Sequence, residues 1–180
     1  MFNNIRNRKE LYCRFATAGF KIGCEVGVHK GQNALVMFQN IPGLKLYLVE
    51  PYADHKYSLA KWGEYNKNNV SSHENARVKA HNILRGYNAE WLQTFSEDAA
   101  RNFPDGILDF VYIDGEHAYD FVMLDIILWT RKVKPGRIVS GHDYDKFSVE
   151  SAVRNYVKIH ELEFNYTQES KSPSWYFIKG

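Results

Sequence analysis

The sequence predicts an α/β protein of the doubly wound, Rossmann-like kind: a mainly parallel, seven-stranded sheet with helices on both faces and an antiparallel C-terminal edge strand. Three observations carry this. Short apolar runs alternate with longer segments of helical period, and Gly and Pro punctuate the junctions. The run at residues 107–113 is β-branched, aromatic and almost wholly apolar, as a strand covered on both faces must be. A length of 180 residues suits one domain, residues 1–20 forming an N-terminal helix and 21–180 the core.

Taken in order, residues 22–28 form a first apolar run. After Gly31, the positions Ala34, Leu35, Phe38 and Ile41 recur at helical spacing until Pro42-Gly43 ends them. A second run, residues 44–49, closes at Glu50-Pro51. The polar and aromatic stretch 54–81 suits one or two surface helices, 82–87 a weaker third strand, and 90–102 a helix. Past the strong strand at 107–113 and its Asp114-Gly115 end, residues 117–133 read as a helix apolar on several sides, stopped by Pro135-Gly136 before a strand at 137–140. A helix at 148–159 leads to two terminal β-like runs, 162–167 and 175–178. Tyr12, Phe15 and Phe20 read as the buried face of the N-terminal helix.

Charge and cysteine content narrow the function classes. Lys plus Arg number 23 against 21 Asp plus Glu, so no field marks nucleic acid or an anionic membrane as partner, and a small molecule is expected instead. Cys13 and Cys24 form neither a C-x-x-C pair nor a zinc set, which suits a reducing, cytoplasmic setting. The polar start lacks a secretory h-region, and the apolar stretch 121–129 is far short of a membrane span.

In an open parallel sheet, ligands sit beyond the carboxyl ends of the strands where the strand order reverses. Reading only those ends collects Glu25 and Gly27, then Glu50, Asn88, Asp114 with Glu116, and His142 with Asp143. Any one of these acids is an ordinary helix-start residue, but their recurrence enriches one edge of the sheet. The first turn, Glu25-Val-Gly27-Val-His29-Lys-Gly31, departs from the G-x-G-x-x-G of dinucleotide sites, because His29 and Gln32 stand where glycine would admit a pyrophosphate. A cofactor without phosphate has no such need. S-adenosylmethionine is one, and its ammonium and sulfonium cations suit a pocket holding Glu25 and Asp114. Glu50, 23 residues past Gly27, lies where an acid takes ribose hydroxyls in either cofactor class.

Leu-Val-Glu50-Pro, Ile-Asp114-Gly-Glu116-His117 and Lys134-Pro-Gly136 with Gly141-His142-Asp143-Tyr144 together resemble the class I S-adenosylmethionine-dependent methyltransferases. Within them, residues 20–160 are similar to the branch of macrocin- and novobiocin-type sugar O-methyltransferases. The resemblance implies that Glu25, Gly27, His29 and Gly31 border the methionine end of the cofactor, Glu50 the ribose and Asn88 the adenine side. It also implies Asp114 beneath the sulfonium or on a metal, a metal set of Asp114, His142 and Asp143, and Glu116 as base. His142 departs from the acidic pair of the metal-dependent members. That change disfavours Mg²⁺ and leaves Mn²⁺, Fe²⁺ or no metal.

The expected reaction is therefore O-methylation of a small hydroxylated or glycosidic acceptor. Glu116 is the expected base, and His142 or a metal lowers the hydroxyl pKa. His117 reads as a helix-start residue that packs or caps, and Tyr52, His55, Trp62 and Tyr144 as an aromatic acceptor wall or as ordinary packing. Cover over the site is expected from the N-terminal helix, residues 51–76 or a second subunit, and the apolar 117–133 helix allows a homodimer contact. Three alternatives stay open: a metal-dependent oxygenase-type relative, a non-catalytic interaction domain on the same fold, and, more weakly, a nicotinamide oxidoreductase.

Overall fold

The computed structural model describes residues 2–53 and 69–180. Among these, strands β1 (Ile22–Val26), β2 (Lys45–Val49), β3 (Ala89–Leu92), β4 (Leu108–Ile113), β5 (Val133–Gly141), β6 (Phe164–Tyr166) and β7 (Trp175–Ile178) form one sheet in the order β3-β2-β1-β4-β5-β7-β6. Strands β1 to β5 are parallel, β7 runs against β5, and β6 runs against β7, so the reversed strand lies one place in from the edge. The described helices are α1 (Arg8–Thr17), α2 (Gln32–Asn40), α3 (Asn69–Ile83), α4 (Ser96–Asn102), α5 (Tyr119–Thr130) and α6 (Phe147–Ile159). None of them is long and apolar enough to cross a membrane.

Each face of the sheet carries its own core. Phe110 and Tyr112 of β4 pack with Leu11, Tyr12 and Phe15 of α1 and with Met37 of α2, whereas Val111 and Ile113 pack with Ile126 and Trp129 of α5 and Val153 of α6. All six residues of β4 are buried, five of them apolar as a strand covered on both faces requires, and the sixth is Asp109. Tyr12, Phe15 and Phe20 are buried as expected, with the rings of Phe15 and Phe110 4.8 Å apart. α1 begins at Asn7, whose side chain accepts a hydrogen bond from the Glu10 amide at 2.9 Å, the usual way to satisfy a free first-turn N–H.

Two expectations fail in the middle of the chain. The segment expected as a third strand at 82–87 is instead the end of α3 and the turn after it, and the first part of the expected 90–102 helix is β3. Ala-Glu-Trp-Leu has helical propensity, but pairing with β2 (Leu46 with Ala89, Leu48 with Trp91) and a 2.8 Å ion pair from Lys45 to Glu90 override it. Farther on, β5 begins four residues before the expected 137. The register slips between Leu108 and Phe110 of β4, and this irregularity accommodates Pro135-Gly136 within the strand. At the same place Asp109, 4% exposed, accepts hydrogen bonds from the amides of Lys21 (2.8 Å) and Ile22 (3.0 Å) and from the Lys134 ammonium (2.8 Å). Burial alone would raise its pKa; these partners outweigh that and hold the carboxyl below its ordinary value.

The strand order reverses between β1 and β4, and the two strand ends are drawn together there. The Asp114 amide donates to the Val26 carbonyl at 2.7 Å, and a Cβ at Gly27 would lie 2.0 Å from the Asp114 carbonyl oxygen. Gly27 also has a φ of 87°, a conformation that side chains disfavour. Gly27→Ala is therefore expected to cost about 2–4 kcal/mol through overlap plus backbone strain; an unchanged urea midpoint for this variant would show that the contact is not a constraint.

Candidate active site

Two cavities open beyond the carboxyl ends of β1, β2 and β4, and they share Gly27, His29 and Asp114 as walls. One, about 320 Å³, is bordered by Glu50, Pro51 and Ala53 after β2, by Phe95, Ser96 and Glu97 at the start of α4, and by Asp125 of α5. The other, about 350 Å³, is bordered by Arg8 of α1, Glu25, and Gln32 and Asn33 of α2. Each lies at the lower end of the sizes at which proteins hold small molecules.

Glu50 is oriented by the backbone. One carboxylate oxygen accepts from the amides of Val28 (3.1 Å) and His29 (2.8 Å), the other from Tyr52 (3.0 Å). A carboxylate has about four lone-pair sites, so acceptor capacity for a diol remains. On the far wall the Ser96 hydroxyl bridges the Asp125 carboxylate and the Trp129 indole N–H, the latter at 2.8 Å.

Glu25 is 1% exposed, and Asn33 donates to one of its oxygens at 2.7 Å while the other has no partner. The Tyr12 hydroxyl in turn holds Asn33 at 2.7 Å. Burial pushes the Glu25 carboxyl up to about 8, with the Asn33 bond opposing and the nearby Asp114 charge adding. Arg8 borders the same cavity, and its guanidinium interacts with Tyr112 and Asp114. This lobe thus presents a cation and a buried acid to one small space.

Beside Asp114 a group of charges closes the site. His117 Nε2 lies 2.9 Å from Asp143 Oδ2 and 3.7 Å from Asp114 Oδ1. His142 Nδ1 lies 3.4 Å from Asp114 Oδ2 and 3.3 Å from Asp143 Oδ1. Lys146 Nζ lies 2.7 Å from Asp143 Oδ2 and 3.2 Å from His117 Nδ1. Burial would raise both carboxyls. The imidazoles of His117 and His142 beside Asp114, and Lys146 and Ser172 beside Asp143, outweigh it and hold both below their ordinary values.

Asp114, His117 and Asp143 bring one ligand atom each to within 4.8 Å of one another, the spacing of a cation site. Their protons do not suit one. An ammonium has only donors, so His117 Nδ1 accepts from Lys146, and a neutral ring then carries its proton on Nε2. That Nε2 is buried between two carboxylates and aligned with neither, which favours N–H there over a lone pair facing negative oxygens. Asp143 already carries an ammonium. The donor set does not fit a resident metal ion.

Of the residues expected at the site, Glu25, Gly27, His29, Glu50 and Asp114 converge on the two cavities, and His142 and Asp143 on Asp114. Glu116 borders the first cavity, but it is exposed and accepts from the His117 amide at 2.9 Å. Gly31 does not border them. It caps α2 with a φ of 76°, and a Cβ there would meet Ala80 of α3 and Leu84 just after it at 3.1–3.2 Å. Asn88 is displaced altogether. It precedes β3, at the amino ends of the strands, because the strand thought to end there begins there; the corresponding positions belong to Phe95, Ser96 and Glu97. Tyr144 is buried against Phe164 and Tyr166, and Tyr52 packs near Trp91, while His55 and Trp62 lie outside the described residues. Reading by strand ends missed Arg8, Asn33, His117 and Lys146. A signal existed for two of them, since His117 follows Asp114, and Lys146 follows Asp143, by three residues.

Fold and cleft define a Rossmann-like α/β domain with its two cavities at the strand-order switch. The chain belongs to a methyltransferase family: the family model described as a methyltransferase domain matches residues 24–144, more than half of the sequence. No curated protein sequence matches it significantly. Solved structures that share the fold include an O-methyltransferase from Bacillus cereus in complex with SAH (TM-score 0.65, 11% identity, 95% of this chain and 80% of that one). TomG, an O-methyltransferase from Streptomyces achromogenes involved in tomaymycin synthesis and solved with SAM, is similar at a TM-score of 0.59 and 14% identity, over 96% of this chain and 79% of that one. Spermidine synthase from Thermotoga maritima is similar at 0.60 and 14%, over 94% and 57%.

The depressed carboxyls give a direction for acid stability. Their folded-state pKa values lie below the unfolded ones, so the stability they contribute is present above about pH 4 and is lost as pH falls through the folded values. Asp143→Asn is expected to flatten the fall of the urea midpoint below about pH 4, and an unaltered acid limb would show that Asp143 carries none of it.

Proposed function

We propose that this chain is an S-adenosylmethionine-dependent O-methyltransferase acting on a small hydroxylated acceptor. The observation that carries the reading is the bipolar cleft: Glu50 on one lobe, and Arg8 with Glu25 on the other, meeting at Gly27 and Asp114. Adenosine takes the first lobe, its ribose diol on Glu50. The amino-acid end takes the second, its carboxylate facing Arg8 and its ammonium facing Glu25. The sulfonium lies at the junction, near the Asp114 carboxylate.

Methyl transfer is an in-line displacement, so alignment and exclusion of water supply most of the rate. The acceptor oxygen attacks the methyl carbon, the carbon–sulfur bond breaks with its electron pair remaining on sulfur, and the hydroxyl proton passes to a base. His142 suits that role better than Glu116. With Nδ1 held between the carboxylates of Asp114 and Asp143, the neutral ring keeps its lone pair on Nε2, whereas Glu116 is exposed and engaged by an amide.

Calorimetry with S-adenosylhomocysteine tests the cofactor. Binding is expected for the intact chain and a loss of at least about tenfold for Glu50→Ala, the scale of a charge-assisted hydrogen bond; no heat with either cofactor form would sink the assignment. Glu25 adds a pH signature. Its carboxyl is largely protonated in the free protein at neutral pH, and a ligand ammonium favours the ionised form. Binding therefore releases protons, and affinity rises with pH up to about 8. At pH 7 the measured enthalpy should vary with buffer ionisation enthalpy, and Glu25→Gln should abolish that variation.

A further inference from the structure

We propose that the Lys146 ammonium takes the electrostatic place of a divalent metal ion beside Asp114, His117 and Asp143, making Lys146 a positioning residue of a metal-independent site. The placement is built into the backbone. Lys146 is the residue before α6, its amide donating to the Asp143 carbonyl at 2.9 Å and its carbonyl accepting from the Glu150 amide at 2.9 Å. This turn returns the ammonium to the Asp143 carboxylate and to His117 Nδ1. One positive group thereby does two things that a metal would otherwise do: it compensates a buried carboxylate and fixes the orientation of an imidazole.

The charge count agrees. Asp114 and Asp143 bring two negative charges, Lys146 one positive, and the imidazoles none while neutral. This part of the inference rests on the cofactor reading above: a bound sulfonium brings the sum to zero. A divalent ion in addition would leave two uncompensated positive charges in a half-buried space, at a distance where such charges repel strongly. Metal binding would also have to remove the proton from His117 Nε2 and displace the ammonium from Asp143.

The decisive measurement is metal affinity rather than turnover. Purified protein is titrated with Mn²⁺ and with Co²⁺, followed by calorimetry and, for Co²⁺, by its visible absorption. The intact chain is expected to bind neither below millimolar concentration, and its melting temperature to be indifferent to EDTA. Lys146→Met frees the Asp143 oxygen and His117 Nδ1, and should gain at least about tenfold in Mn²⁺ or Co²⁺ affinity, since one ligand-competing charge is removed. Lys146→Arg keeps the charge and should stay indifferent. Micromolar binding by the intact chain overturns the proposal, as does a Lys146→Met variant that binds metal no better than the intact chain. The titration on the intact chain decides even if the Met variant does not fold. Failure of the cofactor reading is seen separately, as the absence of S-adenosylhomocysteine binding in the same preparations.

Discussion

The close approach of two strand ends, Gly27 after β1 and Asp114 after β4, is the constraint on which the site depends. These strands are neighbours although β2 and β3 intervene in sequence, and the chain turns away from both on opposite faces of the sheet. A glycine without Cβ lets the Asp114 backbone bond to Val26 and sit against the first turn. One residue then serves three surroundings: Asp114 borders both cavities and anchors two imidazoles.

Around that junction, the polar groups are sorted by what burial does to them. Glu25 is enclosed, with one oxygen unpartnered, and its charged form is disfavoured until a cation arrives. Asp114 and Asp143 are also largely withdrawn from water, yet surrounding imidazoles and an ammonium keep them ionised. The same residue type thus stands in a poised state on one side and a permanently charged state on the other. Such a separation suits a ligand that is zwitterionic at one end and reacts in the middle.

Legibility in the sequence followed the strength of the local signal. β1, β2 and β4 were readable from apolar runs bounded by Gly and Pro, and with them Glu25, Gly27, Glu50 and Asp114, since a strand end names the residues at or just past it. β3 was not, because Ala-Glu-Trp-Leu becomes a strand only by pairing with β2. Asn88 was misplaced for that reason, and Ser96 and Glu97 went unseen. Gly31 was read as a cofactor contact when its constraint comes from α3, a helix distant in sequence.

The sequence by itself determined the class of fold and which carboxylates line the carboxyl edge, because hydrophobic period and chain punctuation are local properties. Only the tertiary structure decided what those carboxylates face. Arg8 reaches Glu25's cavity from α1, Asn33 and Tyr12 form a chain of hydrogen bonds behind it, and Lys146 joins His117 from 29 residues away. Whether an Asp–His cluster is a metal site or a self-compensated one depends on which cation lies within about 3 Å of it. The Lys146–Asp143 contact is local, set by a spacing of three residues, but the distance from Lys146 to His117 arises from how the ends of β4 and β5 lie side by side in the sheet.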